Sequence, residues 1–590
     1  MAPQATTEDH LHRIAIDGRV AFGLAVLLCG IGLLALMDRI GVPEGLVRAL
    51  ASIFILSGLV TIAALLRTMR VSWFYAAGRA VPAPYAGLAM ASLGAALFLP
   101  FIPPVPQGTS LTELFAGFAC GMGCAALITG PLLRKTGAFS IPDLIAARFP
   151  NLVARLGAIL LTAAVTILIA LAGLQESLSS LVAFSGFSKP LASVIIASLL
   201  VFFILPGGLA STLWIATAAT IIALTVFGLP LSIMALHGTP IAFPLIGHSS
   251  LWTDALVRIE AWTGAAQAKD HMDPVLIAAI ALGIGVLAPL LGPSIACRNR
   301  RSAQRAGVSA LGWGGILILL ATATLAQASL SLDRLMVGQA ADDLPQSLYQ
   351  ASAQGDLSIC GASVADRLAA RRVCAGRTGL SSALRLQDIK AKGTYLLTGF
   401  AELGGFGSAF SGLVSAAIMV IGLTLAAIGV QSSATVLGND MFYRVRDHSA
   451  LTSRRLAVTR AFAITIIVLC AVGVNLVSIY PQTLIALAIL LSASGIAPLL
   501  MLTLWPRATS VDATVTLLVG LVSAEILIGP KPLASGLDRY AISALLASVA
   551  GLLAGILTSS IRRRTTSDGS TFTRAILQES GEWLHPDKGV

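Results

Sequence analysis

The chain has 590 residues, of which 56% are hydrophobic and only 11% are charged, and its mean hydropathy is +0.87. Soluble domains carry roughly a quarter charged residues, so this composition excludes a soluble enzyme or nucleic-acid-binding protein and predicts a chain embedded in a lipid bilayer. The formal net charge of +11 is not evidence for a nucleic-acid partner. The basic residues lie in short stretches between apolar runs, where they orient membrane spans.

Fourteen apolar, charge-poor stretches are long enough to cross a hydrocarbon core, which needs about 20 helical residues. The uncharged run 461–506 is too long for one span and is predicted to turn at Pro481, because proline cannot continue a helix. Pro206 separates the sixth span from the seventh for the same reason. The predicted spans are 20–38, 47–66, 83–105, 113–133, 152–174, 188–206, 210–236, 275–296, 308–331, 410–437, 457–478, 482–504, 511–529 and 541–560.

Arginine and lysine predict the orientation of these spans. With fourteen spans, every basic cluster falls on one side of the membrane, which is the cytoplasmic side by the positive-inside bias. The protein is then expected in the inner (plasma) membrane of the cell, with both termini on the cytoplasmic side and the long loop 332–409 on the outer side. Cys360 and Cys374 share that loop, and an oxidising compartment favours a disulfide between them.

The middle ten spans divide into five (83–236) and five (275–504). Because five spans are an odd number, the first half ends on the opposite side of the membrane, and the second half enters the membrane from that side. If the two halves are structural repeats, they are therefore inverted relative to each other. Transporters built this way hold substrate and ion near the membrane midplane, at an interrupted helix in each half. We expect interruptions at Ala91-Ser92-Leu93-Gly94 and at Gly283-Ile284-Gly285; close helix packing by these glycines is the alternative.

A small anion would then be bound mainly by backbone amides at helix N-termini. We predict these substrate-binding residues to be Ala91, Ser92, Gly94, Gly283 and Gly285.

The predicted architecture is an all-α polytopic membrane protein with two accessory helices at each end of a five-plus-five core. The accessory N-terminal pair could be a packing appendage, a dimer surface or a fused small-subunit equivalent, so association with a second copy stays open. The segments are 1–72 (cytoplasmic segment and first pair), 73–236 (first repeat), 237–274 (extracytoplasmic loop), 275–504 (second repeat with loop 332–409), 505–561 (second pair) and 562–590 (cytoplasmic tail).

Four stretches of the chain carry a resemblance to a known family. They read Phe-Tyr-Ala-Ala-Gly-Arg at 74–79, Gly-Ala-Phe-Ser-Ile-Pro-Asp-Leu with Arg-Phe at 137–149, Gly-Gly-Leu with a following Trp at 207–214, and Asn-Asp-Met-Phe-Tyr at 439–443 ahead of the basic residues Arg454, Arg455 and Arg460. In sequence and order they resemble stretches of the sodium:solute symporter family. The acetate/monocarboxylate permease branch is nearest in character, although its acidic residue in the first core helix is absent.

The resemblance implies a LeuT-like fold and transport driven by a cation gradient, with Na⁺ between the first and eighth core helices. Backbone carbonyls of Met90, Leu93 and Ile421 would contribute to this site. The family's two hydroxyl positions correspond to Thr424 and Leu425. Because leucine has no hydroxyl, a weaker Na⁺ site, proton coupling and no coupling all stay open, and no other cofactor is expected.

The resulting hypothesis is a secondary active transporter for cation-coupled symport of a small organic solute, a monocarboxylate such as acetate. The alternative is a transporter-derived sensor or regulatory membrane subunit that binds solute without moving it. Motifs of metalloproteases, serine hydrolases and phosphate-binding loops are absent from the sequence, so an enzyme is not expected.

Overall fold

The computed structural model describes residues 7–101, 111–238, 273–529, 537–562 and 572, with gaps at 354, 356, 376–382, 386–387, 392, 404–405 and 478. Within these residues, twelve helices are long and apolar enough to cross a membrane, or up to thirteen if one bent pair is a span, and Lys189–Ile204 is a shorter apolar helix. Each of the fourteen predicted spans therefore has a helix at its position. Most of the predicted loop 237–274, residues 102–105 of the third span and nearly all of the tail lie outside the described residues.

The N-terminal accessory pair and the first repeat account for ten helices. The fifth span predicted at 152–174 is in fact longer and reaches Ser185. The helices are α1 (Thr7–Arg39), α2 (Glu44–Leu65), α3 (Val71–Ala76), α4 (Ala83–Phe98), α5 (Leu111–Cys124), α6 (Gly130–Thr136), α7 (Ile141–Arg148), α8 (Leu152–Ser185), α9 (Lys189–Ile204) and α10 (Leu209–Gly238).

The second repeat contains the long connection between its second and third core helices, and a further accessory pair follows it. Wider π-helical turns lie at Ala125–Thr129, Val436–Arg446 and Ser492–Ile496. The helices and strands are α11 (Pro274–Gly285), α12 (Ala288–Ile295), α13 (Arg300–Met336), α14 (Gln346–Ala353), β1 (Leu357–Ile359), α15 (Arg367–Ala375), β2 (Ile389–Ala391), α16 (Gly393–Leu403), α17 (Ser408–Thr435), α18 (Thr452–Leu476), α19 (Pro481–Leu491), α20 (Ala497–Thr503), α21 (Ser510–Ile528) and α22 (Leu537–Arg562).

The second of the two predicted helix interruptions is present. The pair α11 and α12 bends by 50° at Val286 and Leu287, which have non-helical backbone angles. Pro289 explains the position of the break. Proline has no N–H to donate to the carbonyl four residues earlier, and its ring clashes with that carbonyl, which here belongs to Gly285.

The first predicted interruption is wrong. Helix α4 runs without a break through Ala91, Ser92, Leu93 and Gly94, and only past Phe98 does it tighten into a 3₁₀ turn. Glycine weakens a helix by about 1 kcal/mol but keeps its N–H and its hydrogen bond. Between Pro84 and Pro100 the helix contains no proline, so nothing removes a hydrogen bond there.

The two repeats pack reciprocally, as a pseudo-two-fold axis in the membrane plane requires. The first core helix of one repeat contacts the second of the other: α4 packs on α13, and α11 packs on α5. Likewise the fifth contacts the third, since α10 packs on α17 and α19 packs on α8. Each helix pair thus has an inverted counterpart, and the third helices α8 and α17 meet along the axis.

Glycines allow α8 and α17 to approach closely. A Cβ on Gly173 of α8 would lie 2.4 Å from the amide nitrogen of Ala426, and one on Gly429 of α17 would lie 2.8 Å from that of Ala170. A hydroxyl also forms a hydrogen bond across this interface, because Ser177 Oγ of α8 donates to the Met419 carbonyl of α17 at 3.1 Å. Small residues and interhelical hydroxyl bonds hold helices together in lipid, where hydrophobic burial cannot.

The accessory helix α1 is hydrogen-bonded to the core at two residues, Asp17 and Asp38. Along a helix these residues are about one membrane thickness apart. Tyr85 Oη of α4 donates to Asp17 Oδ1 at 2.5 Å, and Ser408 Oγ, at the start of α17, donates to Asp38 Oδ1 at 2.5 Å. The connection between α13 and α17 forms a small subdomain in which β1 and β2 pair antiparallel. Cys360 and Cys374 are joined by a disulfide there.

Replacing Gly173 with valine tests the α8–α17 contact. The added side chain has no room against the backbone of α17, and overpacking of this kind costs about 1–3 kcal/mol. We expect Gly173→Val to lower the melting temperature of the purified protein by several degrees, measured by intrinsic fluorescence. The control is Gly23→Val, because no atom lies within 4 Å of a Cβ at Gly23. Equal melting of both variants would contradict this packing.

Candidate functional site

The structure brings together one pair of side chains from the two core helices that the resemblance assigns to a cation site. Ser92 Oγ of α4 lies 3.4 Å from Thr424 Oγ1 of α17, and both residues are at most 1% exposed. The Thr424 hydroxyl also donates to the carbonyl of Ile421 at 2.7 Å, a common bond for threonine in a helix. Leu425 is buried beside Thr424 and offers only carbon to its surroundings.

The backbone around Met90 and Leu93 is helical, so their carbonyls face the amides four residues on. The predicted glycines pack closely against other helices. A Cβ at Gly94 would meet the Met122 sulfur at 2.6 Å, and one at Gly285 would meet Cys124 Cβ at 3.0 Å. A Cβ at Gly283 would lie 2.5 Å from the carbonyl oxygen of Ile489.

The break between α11 and α12 exposes main-chain polar groups in the middle of a membrane span. The amides of Val286 and Leu287 both turn to the carbonyl of Ile284. The carbonyls of Leu282 and Gly283 therefore lose the helical donors four residues on. At the same place the amide of Ala288, the first residue of α12, has no intrahelical acceptor; Pro289 has no N–H, and the Leu290 amide already donates to the Leu287 carbonyl at 3.0 Å. Carbonyl oxygens, which attract cations, and the amide of Ala288, which attracts anions, thus lie side by side, without a charged side chain on either helix.

A second polar cluster lies at one end of the core. We call it the Asp143–Asp440 network; its members are Ser140, Asp143, Asn439, Asp440, Arg444 and Arg455. Both aspartates are at most 2% exposed. Asp143 pairs with Arg444, and its amide donates to Ser140 Oγ at 3.0 Å, which caps α7. Ser140 Oγ in turn donates to Asp440. The loop before α7 in the first repeat is thereby tied to the end of α17 in the second.

The other half of the network surrounds Arg455. Its guanidinium donates to Asn439, whose amide donates to Asp440 Oδ1 at 2.5 Å. It also stacks on the rings of Tyr443 and Tyr75, with centroid distances of 4.0 and 5.1 Å. Tyr75 Oη lies 2.5 Å from Thr459 Oγ1. Burial raises the pKa of Tyr75, so its hydroxyl keeps its proton.

All four family-like stretches of the sequence meet at this end of the molecule. Arg79 donates to the carbonyl of Gly137 at 2.7 Å. Gly208 has a positive φ of 57°, and a Cβ there would lie 2.5 Å from the Phe74 carbonyl oxygen. Arg460 lies 5.3 Å from the centroid of the Phe74 ring. Sequence reasoning found these stretches as separate signatures but did not predict that Ser140 of one would be hydrogen-bonded to Asp440 of another.

No family model and no curated protein matches the sequence. Among solved structures, the chain is similar to a Na⁺-coupled sialic acid symporter in a substrate-bound outward-open state, with a TM-score of 0.65, 14% identity, and coverage of 88% of this chain and 98% of that one.

Two further structures were similar with lower TM-scores. A nucleobase-cation-symport-1 family transporter has a TM-score of 0.42 and 14% identity over 83% of this chain and 95% of that one. A manganese transporter mutant from Eremococcus coleocola has a TM-score of 0.41 and 16% identity over 88% and 96%. The similarity at a TM-score of 0.65, together with the helices long enough to cross a membrane, shows a multi-pass membrane protein whose fold is the predicted LeuT-like inverted repeat.

Replacing Arg444 with glutamine tests the buried ion pair. Its side chain is 18% exposed and that of Asp143 is fully buried, and loss of one partner of a buried pair costs about 3 kcal/mol. We expect Arg444→Gln to lower the melting temperature clearly. The control is Arg454→Gln, because Arg454 pairs with Asp447 at 3.2 Å with its side chain 65% exposed, and exposed pairs contribute about 0–1 kcal/mol. An Arg444→Gln protein no less stable than the control would contradict the role of this pair.

Proposed function

We propose that the protein is a secondary active transporter that couples symport of a small organic solute to a cation gradient. The single observation that carries the proposal is the break at Val286 and Leu287 inside a LeuT-like core. Transporters with inverted repeats use such discontinuous helices for solute and ion, because freed carbonyls attract cations and helix N-termini attract anions. We further propose the plasma membrane as its location, with both termini in the cytoplasm.

The solute we favour is a monocarboxylate such as acetate. Its carboxylate would be bound by backbone amides near Gly283 and Gly285, opposite Ala91, Ser92 and Gly94 of α4. The absence of charged residues from both α11 and α12 supports a small, singly charged solute rather than one that requires an arginine. The name of the sialic acid symporter is consistent with a carboxylate-bearing substrate.

The coupling ion we favour is Na⁺. The contact between Ser92 and Thr424 supports a site between α4 and α17, with backbone contributions from Met90, Leu93 and Ile421. In the present conformation α4 is continuous, so its carbonyls would become available only if the helix loosened. Leu425 leaves such a site one hydroxyl short, which predicts weak Na⁺ affinity.

A solute sensor or regulatory subunit is the second candidate. Two observations favour it: the continuous helix α4 and the missing hydroxyl at Leu425. A protein of this kind would bind solute at the break but would not complete the transport cycle.

Uptake into proteoliposomes distinguishes the two functions. We expect radiolabelled acetate, or another acid of a short monocarboxylate panel, to accumulate when an inward Na⁺ gradient is imposed. Thr424→Ala should raise the Na⁺ concentration for half-maximal uptake about tenfold, or about 1.4 kcal/mol, because a cation ligand is lost. The matched control is Thr322→Ala, since Thr322 bonds only within α13 in the described structure.

The same uptake assay can contradict the transport proposal. Uptake no greater than in protein-free liposomes, with Na⁺, with a pH gradient and across the whole panel, would exclude it. A thermal shift of the purified protein by one of the same acids would then identify a sensor.

A further inference from the structure

A small cavity lies beneath the broken helix, next to the Asp143–Asp440 network. Its volume is about 30 Å³, which exceeds the roughly 10–15 Å³ that a water molecule needs by the same measure. One wall is apolar and consists mainly of α12 and the start of α10, including Leu209, Leu291 and Ile295. The other wall carries the polar side chains Tyr75, Ser140, Gln431, Ser432 and Thr435.

Gln431 presents an unsatisfied acceptor to this cavity. The residue is 1% exposed, and its amide nitrogen donates to the Phe74 carbonyl at 3.4 Å and to Thr435 Oγ1 at 3.3 Å. Its Oε1 has no hydrogen-bond partner within the described residues. Flipping the amide would not help, since Oε1 would then face the Phe74 carbonyl oxygen. A buried acceptor without a donor is costly, so a bound molecule is expected.

The neighbouring side chains define what that molecule is. The Ser432 hydroxyl is half-buried on the same wall and forms no hydrogen bond in the described part of the chain. Water can donate to Gln431 Oε1 and accept from Ser432, which gives it the partners that a buried water needs.

The surrounding charges disfavour a cation in the same space. Arg79 lies 5.5 Å from the centroid of the Phe139 ring, which lines the cavity, and Arg455 lies 5.1 Å from that of Tyr75. Together with Arg444, these arginines outnumber the two aspartates of the network by one. No net negative charge is therefore available to a dehydrated cation.

We propose that this cavity is a binding site for one water molecule, held by Gln431 Oε1 and the Ser432 hydroxyl. The water forms hydrogen bonds with these two polar groups of α17, while α12 lines the cavity only with apolar side chains. Within the described residues no hydrogen bond joins the short helix after the break to α17, and the water satisfies the polar groups of α17 that line the cavity.

Hydroxyl-radical footprinting of the full-length protein in lipid nanodiscs tests the site, because X-rays generate radicals from bound water as well as from bulk water. Tyr75 is the reporter. The matched control is Tyr349, which is also 2% exposed and whose hydroxyl bonds to main-chain groups of its own loop. We expect Tyr75 to be oxidised several-fold faster than Tyr349.

Variants of Gln431 test what holds the water. In Gln431→Leu the rate for Tyr75 should fall to that of Tyr349, whereas Gln431→Glu, which keeps an acceptor oxygen, should retain the fast rate. Ser432→Ala offers a milder second variant and should lower the rate. Melting temperatures establish that each variant is folded.

Three results would overturn the proposal. Equal rates for Tyr75 and Tyr349 in the wild-type protein would mean a dry cavity. A fast Tyr75 rate that persists in folded Gln431→Leu would mean that Gln431 does not hold the occupant. A rate that collapses when Na⁺ replaces choline would mean a cation site. No solute or gradient enters the experiment, so its outcome is independent of the transport proposal.

Discussion

The requirement that backbone polar groups be satisfied without water governs this molecule. Within hydrocarbon an unpaired amide or carbonyl costs several kcal/mol, so spans are helical and irregular backbone persists only where protein or a polar cavity surrounds it. Pro289 violates the helical pattern inside one span and separates α11 from α12. The main-chain polar groups released there need partners, and in our account the bound solute supplies them.

The rest of the core keeps this break enclosed. Reciprocal packing of the two repeats covers α11 and α12 with helices of the opposite half, and the glycines of α8 and α17 bring the two repeats into backbone contact. At one end, the Asp143–Asp440 network ties the loop before α7 to the end of α17 by hydrogen bonds and an ion pair.

The sequence was sufficient for the number and position of the helices, because uncharged runs bounded by arginine and proline leave few alternatives. It misjudged α4, where glycine alone was taken as a break although only proline removes a hydrogen bond. The family-like stretches were recognisable from sequence, but the pairing of Asp143 with Arg444 was not, since they are 301 positions apart in the chain and only the inverted packing brings them together. The orphaned oxygen of Gln431 depends on atomic positions that no pattern encodes.

The most direct test of the central claim is the rate of Na⁺-driven acetate uptake by Pro289→Ala. Alanine restores the missing N–H and removes the ring that clashes with the Gly285 carbonyl, so α11 and α12 should straighten and uptake should fall at least about tenfold. Pro481→Ala, at the first turn of α19 where no hydrogen bond is lost, should transport as the wild type does. Undiminished uptake by Pro289→Ala would contradict the claim that the broken helix forms the binding site.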